Sequence, residues 1–172
     1  MVFEFDAVYR QHFAATWRVL RRLGVADAQL DDAAQDVFLI VHRKLGGLEP
    51  GAPVRRWVIA IAVRVASEYR RRASRRRVDP LPESIVGAGA DPARQSELNE
   101  SLRLLHELLT ELDEKKRTVF VLAELEQLSA PEISEMVGAN VNTIYARLRA
   151  AKKQFSAGLA RRRAREGGGG RP

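Results

Sequence analysis

The residues best placed for chemistry in this chain are amides, hydroxyls and guanidinium groups set at helical spacings. Asn142, Thr143, Tyr145, Ala146, Arg147 and Arg149 share one side of a helical period, with Asn140 before them and Lys153 after. Such groups hydrogen-bond to base edges and phosphates. The opposite side carries Val141, Ile144, Leu148, Ala151 and Phe155 at spacings of three and four, which makes an inward-packing stripe. A shorter helix is expected just before it. Ser129 is its N-cap, Pro131 lies in the first turn where a missing N–H costs little, and Gly138 supplies a left-handed stop. Asn140 then caps the second helix, so residues 129–153 read as a helix-turn-helix. A helical hairpin in an ordinary all-α domain, with its cations merely solvated, has the same pattern.

A second set of cations ends a long helix in the first half. Val54, Val58, Ile61, Val65 and Tyr69 form its core stripe, and Arg55, Arg56, Arg64, Arg70 and Arg71 lie off it. The helix runs into Arg70-Arg71-Arg72-Ala73-Ser74-Arg75-Arg76-Arg77, six arginines in eight residues. A helix C-terminus favours cations mildly, but six in a row repel one another. A phosphate backbone neutralises them and releases counterions. Charge is segregated in the same sense: residues 55–77 are net +8 and 147–172 net +8, whereas 96–146 are net −6, within a total of +7. A solvated surface intersperses its signs, so two separate places that face nucleic acid are expected.

The elements that hold these groups follow from periodicity. Phe5, Tyr9, Phe13, Thr16, Leu20 and Leu23 mark a first helix from about Asp6 to Leu23, ended by Gly24. Asp27 is the expected cap of a second, reaching Leu45 with Leu30, Ala34, Val37, Val41 and Leu45 buried. The strand-like run Val37–Val41 lies inside this longer helical period and is assigned to it. Asp31, Asp32, Gln35, Asp36 and Leu39 fall on the face away from the stripe. That face suits either solvent, with acids near a helix N-terminus, or a basic protein partner. Gly46 to Pro53 reads as a loop that leads into the third helix.

Residues 78–96, with Pro80, Pro82, Gly87, Gly89 and Pro92, read as a flexible tether between two small all-α domains, 1–77 and 97–166. The second domain opens with the stripe Leu98, Leu102, Leu105, Leu109 and Leu112. Asp113 caps a helix through Glu126 that buries Val119, Phe120, Leu122 and Ala123. Ala160 to Arg165 is a basic end, and 167–172 is expected to be a disordered tail.

Several classes find no support. The chain has no cysteine, and His12, His42 and His106 are not at metal-ligand spacing. There is no GxxxxGK loop, and adjacent carboxylates such as Asp31-Asp32 splay apart on a helix. No catalytic residue, metal or cofactor is expected, and an enzyme is the class with least support. There is neither an apolar run of ~20 residues nor a signal-peptide pattern, so a cytoplasmic protein without a membrane segment is expected.

The order of these parts resembles the two-domain extracytoplasmic-function sigma factors of bacterial RNA polymerase. Three blocks carry the resemblance: Asp32-Ala33-Ala34-Gln35-Asp36-Val37-Phe38; Trp57-Val58-Ile59-Ala60-Ile61-Ala62 with the arginine run; and Arg117-Thr118-Val119-Phe120 through Glu132-Ile133, Thr143-Ile144 and Arg147-Leu148. The resemblance implies a sigma domain 2 fold for the first domain and a sigma domain 4 fold for the second. It implies that Asp32, Gln35, Asp36 and Leu39 dock on the clamp helices of the polymerase largest subunit, with the flap as a further contact. By the same resemblance, Arg55, Arg56, Trp57, Arg64, Arg70, Arg71 and Arg75 meet the melted −10 element. Trp57 either stacks on a base or packs inside. Asn140, Asn142, Thr143, Tyr145, Arg147, Arg149 and Lys153 meet the −35 duplex, and an anti-sigma factor is a possible partner. Arg64, Glu68, Ala146 and Ala150 depart from the family's common Asn, Asp, Ser and Arg. Arg149 and Lys152 stand where they can compensate. A stand-alone helix-turn-helix regulator is the alternative, as is a basic RNA-binding or nucleoid-type protein.

Overall fold

The computed structural model describes residues 3–75 and 92–167, with side chains for 3–75 and 99–165. These residues are helical, without a strand among them. The chain divides into two compact units between Val86 and Gly87.

In the first unit, α1 (Phe5–Arg22), α2 (Leu30–Lys44) and α3 (Val54–Arg75) pack on one another. The α2 stripe is buried as expected, from Leu30 through Ala34, Val37 and Val41 to Leu45, and Val37–Val41 is helix. Small residues let the axes approach: Ala33 and Ala34 on α2 and Ala62 and Ala66 on α3 have no exposed surface. Asp27 differs from its expected role. It sits in a 3-10 turn, Asp27–Gln29, without a side-chain cap, and its Oδ1 accepts from Arg21 Nε at 3.1 Å. A charge-assisted bond to α1 wins over capping, because the turn already satisfies the early N–H groups with backbone carbonyls. The aromatic half of the α1 stripe lies at the rim. Tyr9 is 38% exposed and meets Phe38 edge-on at 4.9 Å, while Phe5 meets His42 at 4.9 Å. Trp17 Nε1 donates to Asp31 Oδ1 at 3.0 Å, tying α1 to the start of α2.

In the second unit, α4 (Pro92–Thr110) begins inside the stretch expected to be a tether, whose residues 78–91 lie outside the described ones. Pro92 is tolerated because a first-turn N–H has no intrahelical partner. α5 (Glu114–Phe120) is capped by Asp113, which accepts from Lys116 N at 2.9 Å. It continues without a break into a π-helical turn, Val121–Leu125, so the helical run ends within one residue of the expected Glu126, and Gln127 follows at φ +59. α6 (Ala130–Val137) opens with a capping box, Glu132 Oε2 accepting from Ser129 N at 2.8 Å, and stops at Gly138 with φ +65. Asn140 Oδ1 then accepts from Asn142 N at 2.8 Å and starts α7 (Val141–Gly167). The capping atoms expected of the helix-turn-helix are therefore in place.

α7 is much longer than its reading portion. Its 27 residues span about 40 Å at the usual helical rise, and its second half lies along α4. Gly158 is the point of closest approach: a Cβ there would come within 2.7 Å of Leu108 Cδ2 and 3.1 Å of Glu111 Oε2. The expected α4 stripe is buried at its C-terminal end, where this contact lies, and opens to solvent toward the N-terminal end. Leu108, Leu109 and Leu112 are buried, Leu105 is half-buried and Leu102 is 45% exposed; the Leu98 side chain lies outside the described ones. Arg117 fixes the end of α4, donating from Nε to Leu109 O at 2.8 Å and from Nη2 to Thr110 O and Leu112 O at 3.2 and 3.1 Å. These carbonyls lie at or just beyond the C-terminal end of α4, where a cation suits the helix dipole. Gly158→Leu overpacks the contact and is expected to destabilise this unit by about 1–3 kcal/mol, read as a lowered melting temperature by circular dichroism of the whole chain.

Candidate protein and nucleic-acid interfaces

The acidic face of α2 is present, and its members differ in freedom. Asp32 and Gln35 are exposed, and Leu39 is 46% exposed beside them. Asp36 is half-buried, and its Oδ2 accepts from the Tyr69 hydroxyl of α3 at 2.7 Å. Burial of the phenol pushes its pKa up to about 12, aided by that hydrogen bond and by the negative charges of Asp36 and Asp32. Tyr69 therefore remains a donor at every physiological pH. Asp31, on the same face by sequence, is held by Trp17. The face thus combines the exposed Asp32 and Gln35, the apolar Leu39 and two carboxylates held from neighbouring helices, Asp31 by Trp17 and Asp36 by Tyr69.

The α3 cations also separate into two kinds. Arg64, Arg71 and Arg75 are exposed, as is Arg55, while Arg56 and Trp57 are half-buried. Trp57 lies in the first turn of the helix, its backbone N–H bonded to Pro53 O at 3.1 Å. Arg70 is half-buried, and its Nη1 donates to the carbonyl of Leu23 at the end of α1. That guanidinium works inside the unit, where an unsatisfied helix-end carbonyl offers it a partner. Arg72 is likewise engaged on α3 itself, 3.5 Å from Glu68 and with its guanidinium 5.6 Å from the centre of the Tyr69 ring. Near the opposite end, burial, and secondarily the charge of Arg55, lower the pKa of His12, which favours its neutral form.

On α7 the exposed face is narrower than the sequence suggested. Asn142, Tyr145, Ala146, Arg149, Ala150 and Lys153 are exposed and share one side of the helix, and Tyr145 is 53% exposed. Thr143 and Arg147 are half-buried on its flank, next to the residues that pack on α5 and α6. The buried side is Ile144 and Ala151, with Phe155 stacked on Phe120 at 4.7 Å; Val141 and Leu148 are only half-buried. Asn140 is exposed, but its side-chain oxygen already serves as the cap.

Lys152 does not join the exposed face as a compensating cation. Its Nζ is 2.8 Å from Glu124 Oε1 on the π turn. Two arginines of the basic end are also paired. Arg161 lies 2.9 Å from Glu111 Oε2, and Arg162 meets both Glu107 and Glu111. Arg161 and Arg162 of the basic end are thus tied to the end of α4. Sequence reasoning missed Tyr69 as a polar contact and Gly158 as a close approach. The signal for Gly158 was legible: one glycine within an otherwise uninterrupted helical pattern. Among the described residues no group of His, Asp or Glu is arranged to hold a metal ion, and no helix is long and apolar enough to cross a membrane.

These faces define a two-unit helical protein with an acidic face on α2, an arginine-bearing helix and a helix-turn-helix. Comparison with known proteins specifies the class. Residues 8–76 match the model of Sigma-70 region 2, and residues 102–155 match Sigma-70, region 4. The chain is 30% identical over 147 residues to the ferric citrate uptake sigma factor FecI of Escherichia coli, covering 81% of this chain and 82% of that one. It is 27% identical over 159 residues to the ECF RNA polymerase sigma factor SigE of Mycolicibacterium smegmatis, covering 91% of this chain but 62% of the relative. Among solved structures, the sigma factor RpoE of Bartonella quintana, in complex with the anti-sigma factor NepR, shares the fold with a TM-score of 0.70 at 15% identity, over 91% of this chain and 96% of that one. The chain belongs to the extracytoplasmic-function sigma factors, a family of transcription initiation factors and not of enzymes.

Two outcomes follow from this geometry. Arg149→Ala should weaken binding of −35-type duplex DNA by about 1–3 kcal/mol if the side chain reads a base; Arg147→Ala should cost less, because that side chain is half-buried. Fluorescence anisotropy at fixed salt compares them. For Tyr69, the raised pKa means that its stabilisation is complete below the ordinary phenol value near 10 and is lost as pH rises toward about 12. The stability difference between the parent chain and Tyr69→Phe should close over that interval in denaturant titrations.

Proposed function

We propose that this chain binds core RNA polymerase through the α2 face, brings it to a subset of promoters and aids their opening, without a reaction of its own. The observation that carries this reading is the arrangement of the region 2 unit. One side presents Asp32, Gln35 and Leu39, and the third helix presents Arg55, Arg64, Arg71 and Arg75. Charge segregated in this way suits an acidic surface on a basic protein and a cationic surface on DNA. The clamp helices of the largest subunit are the proposed partner of the acidic face, with the flap as a second polymerase contact. The −10 element meets α3, where exposed cations neutralise phosphates and Trp57 stands at the loop-to-helix junction that an extruded base would enter. Asn142, Tyr145, Arg149 and Lys153 read or grip the −35 duplex. Asn140, Thr143 and Arg147 contribute from the flank, Arg56 adds a half-buried cation beside Trp57, and Arg70 meets the −10 element while also bonded to the end of α1.

The setting is the cytoplasm, where polymerase and promoter DNA are found. An anti-sigma factor is proposed as a further partner, supported by the solved RpoE relative, which is in complex with NepR. A stand-alone helix-turn-helix regulator is not favoured, because it gives no role to the α2 face or to the exposed cations of α3. Asp32→Lys is the cleanest test, since Asp32 is exposed whereas Asp36 is tied to Tyr69. Affinity for purified core polymerase should fall at least about tenfold, with binding of −35 duplex by the free chain unchanged. Unaltered affinity for core polymerase would overturn the reading.

A further inference from the structure

Two carboxylates of the α2 face are already engaged: Asp31 accepts from Trp17 of α1, and Asp36 from Tyr69 of α3. The Asp36 carboxylate has two acceptor oxygens, and Oδ2 takes the Tyr69 proton at 2.7 Å. The donor comes from another helix and is itself fixed: Tyr69 is 9% exposed, and the Arg72 guanidinium lies 5.6 Å from its ring centre. An Asp side chain on a helix surface ordinarily samples several rotamers. A short bond from a buried phenol selects one and sets the direction in which the second oxygen points. Asp32 stands one helical turn earlier on the same face, so the fixed carboxylate and the exposed one are neighbours.

We infer that Tyr69 is a positioning residue for polymerase docking, holding the Asp36 carboxylate so that its second oxygen is aimed at a cationic side chain of the partner. This rests on the proposed role of the α2 face. A carboxylate aimed before contact loses less freedom on binding than a mobile one. The raised pKa of the phenol keeps the donor protonated over the whole range in which the protein works. The same contact joins the docking face to the helix that bears Arg71 and Arg75, so removing it acts on docking without removing a charge from either surface.

A purely structural cross-link between α2 and α3 predicts lost stability with docking affinity unchanged while the chain is folded; the double-mutant cycle then shows whether a docking effect runs through Asp36. Affinity of the full chain for purified core polymerase is measured for the parent, Tyr69→Phe, Asp36→Ala and the double variant, at a temperature where circular dichroism shows all four folded. Tyr69→Phe should weaken docking by about three- to tenfold in the parent. It should have no further effect when Asp36 is Ala, and −35 duplex binding should be unchanged in every variant. A loss of the same size in the Asp36→Ala background, or no loss in the parent, would overturn the inference. Asp32→Lys runs beside them. If it weakens docking while Tyr69→Phe does not, only the positioning role fails; if it leaves docking unchanged, the docking face fails and the positioning role with it.

Discussion

Each helix here can bury one stripe, and the stripe that it buries decides what its opposite side offers. α2 commits Leu30, Val37 and Val41 to the core, so Asp32, Gln35 and Leu39 must face outward. α7 commits Ile144 and Ala151, which leaves Asn142, Arg149 and Lys153 outside. The apolar contacts supply the stability and the polar sides supply the function, through the same helical geometry. A shift of α7 by one residue would rotate the reading face by about 100° and carry Thr143 and Arg147 into its centre. The capping box at Ser129, the left-handed Gly138 and the Asn140 cap fix where α6 stops and α7 starts, and so hold that register.

Electrostatics adds a second layer of selection. The sequence carries dense runs of arginine, and the fold divides them by pairing. Arg70 is bonded to the end of α1, Arg72 is paired with Glu68 and lies over Tyr69, and Arg161 and Arg162 are paired with Glu107 and Glu111 at the end of α4. Lys152 is held by Glu124. Those pairs relieve repulsion and join helices; the exposed ones add little stability by themselves. Exposed on α3 are Arg55, Arg64, Arg71 and Arg75, a better defined set than the run of cations suggests. The same division operates on the acids. Asp27, Asp31 and Asp36 are held by Arg21, Trp17 and Tyr69, whereas Asp32 is exposed.

The all-α fold, the helix starts at Asp113, Ser129 and Asn140, the stop at Gly138 and the buried stripe of α2 were all determined by the sequence alone, as was the resemblance to sigma factors. These features are local: a cap bonds two or three residues away, and amphipathic spacing repeats every three or four. Tertiary structure decided the rest, because it depends on which distant groups meet. The close approach of Gly158 to Leu108 joins positions 50 apart in the chain. The inward turn of Arg70, the pairing of Arg162 with Glu107 and the Tyr69–Asp36 bond likewise join separate helices. Periodicity places a side chain on a face, but only packing supplies its partner, and the partner decides whether a charged group is a strut or a contact.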